Sequence, residues 1–356
     1  MWGEKSVNYL DNRSEEVQRL HDIYLPNKKI PDYLKELLEV PEVARLAGVD
    51  ANSGINLSGF NTVEYKYSVL DHSLGVALIL ENFITNKNQV ISAFLHDLSI
   101  PAFADSSYNI EEKNFNKDDD ALSVYDAIVG SDKLFNHFLE NDISIDELCD
   151  YTTCPLAYNL SPYLCAYRLE NVLHHMYLSN MCTDKEIEEM YSSLVVVPNE
   201  EKIPEFCFID ERKAEKFAVL ALDAFSDLRS YEAKAVIQFI SDTLAAMIRR
   251  EVITRKDLYK YSDKAIMEMG ISCSDKRISD RWEYLSSLNK VYTKFNEVEG
   301  RRCFKINSDI EYVNPLIRLK GAEYVRASKR FPICNEKLNV FLNSDTDLYF
   351  YLDYED

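Results

Sequence analysis

The chain has 356 residues and a mass of 41.3 kDa, enough for one large domain with an appendage or for two domains. An apolar content of 46% supports a core, and 12% aromatic residues beside only 9 Gly exclude a disordered or low-complexity chain. A formal charge of −20 excludes duplex nucleic acid as a default partner, because the phosphate backbone would be repelled over most of the surface.

The first residues, MWGEKSVNYLDNRSEE, lack the apolar run of a signal peptide, and no later run approaches the ~20 apolar residues that span a bilayer. The expectation is a soluble cytoplasmic protein without a membrane partner; a homo-oligomer stays open. Eight cysteines are scattered without a C-x-x-C pair, so buried reduced thiols are expected rather than a zinc knuckle or redox motif.

EYKYSVLDHSLGVALIL, residues 64–80, reads as a buried helix interrupted by one histidine, His72. VISAFLHDLSIPAFAD, residues 90–105, is again apolar and then breaks into His96 and Asp97. Ser144 and Thr183 are each followed three residues later by Glu, the capping-box signature of a helix start. VVVPNEEKIPEFCFID, 195–210, reads as a linking loop, and helical periodicity returns over 211–228 and 232–250.

Between Met247 and Asn335 the balance reverses to 19 Lys or Arg against 12 Asp or Glu, and RREVITRK and RRCFK could face a phosphorylated ligand or an acidic surface. After about Lys290 the texture becomes strand-like in KVYTKFNEV, RCFKINSDIEYVNPLIRL, AEYVRASKRF, LNVFLNS and DLYFYLDY, with a hairpin turn at VEGRR and a strand end at Pro315. The fold expected is mainly α with a small C-terminal antiparallel β-sheet, α+β overall. Residues 1–200 would form a helical domain with its N-terminal lead-in, 201–289 further helices packed on it, and 290–356 a β-rich region.

A single histidine on an apolar face is usually structural, and His21 and His137 are read that way. His72 with the His96-Asp97 pair is different. Two helices presenting imidazoles, with a carboxylate beside the second, offer two nitrogen donors and one hard oxygen donor, a set that suits a divalent first-row metal with open positions.

These residues resemble the HD-domain superfamily of metal-dependent phosphohydrolases, in the branch similar to deoxynucleotide triphosphohydrolases. The resemblance is carried by LDHSLGVALIL and AFLHDLSIPAFAD, extends to SPYLCAYRLENVLHH at 161–175, and covers roughly residues 40–200. It implies an HD-type helical domain in which His72, His96, Asp97 and a later aspartate hold a divalent ion of the Mn, Mg, Fe or Ni class, with water activated for attack on phosphorus. The text matching the fourth-ligand motif is YRLEN, so Tyr167 stands where the aspartate is expected. A phenol with a pKa of about 10 is a poor ligand for Mg²⁺ or Mn²⁺, so the ion would be weakly bound or absent. Val69 stands where the relatives carry a phosphate-binding arginine, Ile100 and Asp105 where they carry histidines, and the acidic NKDDDALS, 116–123, where a His-Glu pair is common.

Catalytic candidates are therefore Asp97, with Asp105 and Glu170 to orient water or shuttle its proton, and Tyr167 and Arg168 are the candidates for contacting substrate. His174 and His175 read as a surface pair or a cap near a helix end. Two functions follow. One is a metal-dependent phosphohydrolase acting on a phosphate ester or a nucleotide-like small molecule. The other is a catalytically impaired HD scaffold that binds a ligand or a protein partner.

Overall fold

The helix Val69–Phe83 is apolar around its circumference and forms the middle of the molecule, with every residue from Val69 to Leu80 buried. A capping box starts it: Ser68 Oγ accepts the Asp71 N–H, and the Asp71 carboxylate accepts the Ser68 N–H. The helices Glu15–Tyr24, Lys87–Phe94 and Ala166–Leu178 pack around it, and Ala166–Leu178 is covered on its other side by Glu211–Leu228. The computed structural model describes residues 9–60, 66–110, 122–305, 311–321, 323–344 and 348–354. Most of the acidic NKDDDALS stretch, residues 116–121, lies outside the described residues.

A second core lies between the helices Tyr231–Arg249 and Lys276–Leu285, with Phe239, Leu244, Met247 and Trp282 in it. The chain after the His96-Asp97 pair joins the two cores. Leu98 belongs to the first, Ala102 and Phe103 to the second, and Phe103 stacks on Trp282 with ring centroids 5.3 Å apart. Phe103 and Ala104 both have positive φ, +61° and +41°, a conformation that non-glycine residues adopt only where their surroundings enforce it. Here the Ala102 N–H donates to the Leu258 carbonyl at 2.7 Å and the Phe103 N–H to Asp263 Oδ1 at 2.6 Å. The bend returns Asp105 toward Ser53.

The molecule is mainly helical with a small β component, as its composition and periodicity suggest, but the strands are distributed differently. The stretch read as a loop over 195–210 is a hairpin of β1 (Leu194–Pro198) and β2 (Pro204–Phe208), in which the two prolines face each other at the turn end. Pro at a strand end removes no ladder bond, so the prolines mask the strands without breaking them. β2 pairs in parallel with β4 (Leu316–Arg318), which pairs antiparallel with β5 (Tyr324–Arg326), giving the order β1-β2-β4-β5. β3 (Tyr292–Lys294) pairs with β6 (Tyr349–Tyr351), so the turn at 298–302 does not join paired neighbours. AEYVRASKRF gives only β5 before turning helical, and LNVFL ends the helix Pro332–Leu342, whose proline occupies the first turn, where a missing N–H is harmless.

The helices Glu211–Leu228 and Tyr231–Arg249 lie where the periodicity places them. Thr183 forms its capping box, whereas the Ser144 side chain makes no cap bond and its helix spans only Ile145–Leu148. All eight cysteines are free thiols, five of them buried. Among the described residues no helix is long and apolar enough to cross a membrane.

Candidate metal centre

His72 is in the first turn of Val69–Phe83, while His96 and Asp97 follow Leu95, the cap that ends Lys87–Phe94. The second imidazole therefore sits on a turn rather than on a helix as expected. The three residues nevertheless meet. Their ligand atoms all lie within 4.8 Å of one another: Asp97 Oδ2 is 3.1 Å from His96 Nε2 and 4.0 Å from His72 Nε2.

Hydrogen bonds fix which nitrogen of each ring is free. His96 Nδ1 lies 2.6 Å from the Ala93 carbonyl, which can only accept, so Nδ1 carries the proton and Nε2 keeps its lone pair. That Nε2 is buried, and among the described residues its near neighbour is Asp97 Oδ2 at 3.1 Å. His72 Nδ1 likewise donates to Glu170 Oε2, leaving its Nε2 lone pair on the side of Asp97. Two imidazoles anchored at Nδ1, one by a carboxylate and one by a carbonyl, with free Nε2 atoms beside an aspartate, make a donor set that a divalent ion fits.

Burial disfavours protonation of His96, yet Asp97 beside it raises its pKa. Burial would also raise the Asp97 carboxyl, but His96 and His72 hold it below its usual value. Proton and metal ion would compete for the same Nε2 lone pair.

Glu170 is fully buried behind His72. One of its oxygens accepts from both His72 Nδ1 and His174 Nδ1, the latter at 3.1 Å, and the other accepts from the Tyr67 hydroxyl at 2.5 Å. Burial alone would raise this carboxyl; His174 and His72 overcome that and keep it strongly depressed. The oxygens are thus committed to holding imidazoles rather than turned toward a ligand. His72, Glu170 and His174 also form a cluster compact enough for an ion, but there the contacts are already hydrogen bonds. Gly75 allows the close approach of the two helices: a Cβ there would stand 2.9 Å from Glu170 Cγ and 3.0 Å from Oε1.

Tyr167 packs nearly perpendicular to both imidazoles, with centroids 5.2 Å from His72 and 5.7 Å from His96. Tyr151 lies 4.8 Å from His96, and Tyr158 packs against both tyrosines. Tyr167 also lines a cavity of about 270 Å³, together with Asn171, His174, Asp105 and Glu311. Asp105 Oδ2 accepts from Ser53 Oγ at 3.2 Å, and its surroundings raise its pKa, chiefly by desolvation and secondarily through Asp97. Arg168 is not among the residues of the cavity wall. It is 1% exposed, donates to the Asn159 carbonyl and pairs with Glu311 at 3.3 Å, so it holds a cavity carboxylate from behind.

His174 and His175 are not a surface pair. The first is buried on Glu170 and the second points to Asp227 at 3.3 Å, because helices cover both flanks of Ala166–Leu178. Val69 is buried in the first core, and the Ile100 carbonyl accepts from Arg45 at 2.6 Å, so neither position presents a cation to the cavity. His21 donates to the Asp71 carbonyl at 3.0 Å and accepts from Arg13 at 2.9 Å, and His137 rests against Phe138. Sequence reasoning did not single out Tyr67, Gly75 or Glu311. Gly75, one turn beyond His72 in an otherwise bulky helix, carried the one readable signal, that of a close helix contact.

No family model matches the chain. A curated relative, the uncharacterized protein YdhJ of Bacillus subtilis, is 22% identical over 289 residues, which is 79% of this chain and 82% of that protein. The fold is similar to that of the crystal structure of a phosphohydrolase from Bacteroides thetaiotaomicron, with a TM-score of 0.60 and 11% identity, covering 92% of this chain and 97% of the other.

Proposed function

We propose that the chain is a metal-dependent phosphohydrolase of the HD type that cleaves the phosphate ester of a small, nucleotide-like molecule. The observation that carries this reading is the pair of free Nε2 lone pairs, anchored through Glu170 and the Ala93 carbonyl and converging on Asp97. The resemblance of the two histidine motifs and the likeness in fold to a phosphohydrolase both support it.

A divalent ion of the Mn, Mg, Fe or Ni class, when bound, would neutralise phosphoryl oxygens and acidify a water molecule. His72 and His96 would hold it through neutral nitrogens and Asp97 through an anionic oxygen. Glu170 acts on His72, fixing its tautomer and orientation. Asp105, which lines the cavity and has a raised pKa, would accept a proton from water and return it to the leaving alcohol. In the overall reaction the bond from phosphorus to the ester oxygen breaks, a bond from phosphorus to the water oxygen forms, and the alcohol leaves with a proton. Tyr167 packs nearly perpendicular to both imidazoles and lines the cavity, where it can stack on or orient the substrate.

The test is metal analysis of protein purified without chelator, followed by hydrolysis of generic phosphomonoesters with each of the four metals. Turnover that disappears in His96→Ala and Asp97→Asn is expected. A folded protein that takes up no metal and releases no phosphate from any ester would refute the enzyme and leave the impaired scaffold.

A further inference from the structure

The cavity beside Tyr167 abuts a second hollow of about 380 Å³, with Asn52, Ile55, His174 and Leu228 common to both walls. Asp105 and Glu311 line the first, Asp227 and Glu232 the second, and Arg229 is the only Lys or Arg among the described residues of either wall. Its guanidinium lies over the Phe341 ring, 4.9 Å from the centroid. The remaining polar groups are the imidazoles of His174 and His175, held on Glu170 and Asp227, the amides of Asn52, Asn56 and Asn171, and the hydroxyls of Ser53, Tyr167, Ser179 and Ser230. Four carboxylates, of which Glu311 pairs with Arg168 behind the wall and Asp227 with His175, against one guanidinium in the walls is the reverse of a site built for a polyanion, which is held by clustered Arg and Lys. Carboxylates and amides suit hydroxyl and amino groups, which donate to the first and exchange hydrogen bonds with the second.

We infer that the substrate is a phosphomonoester whose alcohol is a neutral, hydroxyl-rich body such as a nucleoside or a sugar, and that the same molecule bearing a di- or triphosphate is rejected. This rests on the phosphohydrolase reading of the same site. The single phosphate belongs at His72, His96 and Asp97, the alcohol body in the cleft. A second or third phosphate would be driven either into the cleft, against Asp105, Glu311, Asp227 and Glu232, or into the tyrosine wall of Tyr151 and Tyr158, where Arg168 is stacked behind Tyr158. Each is a like-charge or desolvation penalty that a monoester avoids.

The test uses the full chain. Phosphate release from adenosine mono-, di- and triphosphate and from glucose 6-phosphate is measured with Mn²⁺, and calorimetry follows binding of adenosine mono- and triphosphate to the metal-free protein, where chelation by the triphosphate plays no part. The monoester should be preferred on the order of 100-fold in kcat/KM, the scale of a like-charge mismatch in a desolvated site. It should also bind the metal-free protein more tightly than the triphosphate does. Asp227→Asn with Glu232→Gln should narrow that binding preference at least about tenfold, and Glu311→Gln should narrow it separately if the first pair unfolds. Equal or better turnover or binding of the triphosphate overturns the inference and leaves the phosphohydrolase intact. If no ester is cleaved, the phosphohydrolase reading falls and the calorimetry alone judges the preference, with absence of monoester binding counting against it.

Discussion

Glu170→Gln separates a positioning carboxylate from a merely buried one. The amide keeps the shape of the side chain, and its oxygen can face His72 and His174 while its NH₂ faces the Tyr67 oxygen, which can rotate to accept. What is lost is charge. Hydrogen bonds to an ionised acceptor exceed neutral ones by about 1 kcal/mol, so two imidazole contacts made to a neutral oxygen should lower stability by about 2 kcal/mol. The direction agrees with the strongly depressed Glu170 carboxyl, which says that the fold favours the ionised form despite its burial. His72 also becomes a less basic donor, and loss of such an outer partner typically weakens metal binding 10 to 100-fold, or about 1.4 to 2.7 kcal/mol.

Chemical denaturation and Mn²⁺ titration of wild type and variant give the two quantities separately, and ¹⁵N chemical shifts report whether His72 keeps its proton on Nδ1. The expected result is a moderately less stable protein with an intact His72 tautomer and a Mn²⁺ affinity at least about tenfold lower. A variant that loses stability yet binds Mn²⁺ as tightly as wild type would refute the positioning role and make Glu170 a structural acceptor only.

Gly75→Ala pushes a methyl into the Glu170 side chain at 2.9 Å, where the carboxylate is too firmly bonded to yield, so a destabilisation of about 1–3 kcal/mol together with weaker Mn²⁺ binding is expected by denaturation and titration. Burial raises the Asp263 carboxyl to about 7, against the pull of its two backbone N–H donors. From about pH 4 to about pH 7 the folded chain therefore keeps a proton that the unfolded chain has released, so stability falls as pH rises through this window. Asp263→Asn should flatten that slope in thermal unfolding, although one backbone donor loses an oxygen and the whole curve drops. Tyr167→Asp places an anionic oxygen beside the two imidazoles and should tighten Mn²⁺ binding at least about tenfold in titration. If it only lowers the melting temperature, position 167 does not face an ion.

The histidine motifs were readable because each interrupts an apolar run with residues that nothing in a core requires, and their convergence followed from two neighbouring segments packed side by side. Glu170 was visible as a candidate, but its role was not. A carboxylate four residues before a histidine on a helix can face an ion or a partner, and only the packing of Val69–Phe83 across Gly75 decides which. His174 and His175 looked alike in the sequence; they point to opposite neighbours because the helix is covered on two sides. The long helices were legible from periodicity. The β component was legible in part: β3, β4, β5 and β6 fall in the strand-like segments and pair antiparallel as β3 with β6 and β4 with β5, but β2 and β4 are far apart in the chain and pair in parallel, a contact that local alternation does not encode. LNVFL has strand-like residues, yet Pro332 and the surface of Glu211–Leu228 make it the end of a helix.

Tyr167, the acidic cleft and the donor set form one electrostatic design. Asp97 is the single anionic donor among His72, His96 and Asp97, so a divalent ion held there would keep a net positive charge, whereas an aspartate at position 167 would cancel it. Val69 is buried, and among the described residues of the two hollows Arg229 is the only Lys or Arg, so the ion would be the main attraction for a phosphate. On the proposed reading, the departure that would weaken the hold on the metal is the one that would strengthen the metal's hold on a phosphate. The carboxylates around the cleft would then act as a counterweight, leaving the alcohol body to bind through hydrogen bonds and confining negative charge to the one place where it is compensated. On this view Tyr167 is a trade of ion affinity for anion affinity, and Tyr167→Asp should bind Mn²⁺ more tightly while binding inorganic phosphate, in the presence of saturating Mn²⁺, more weakly than wild type.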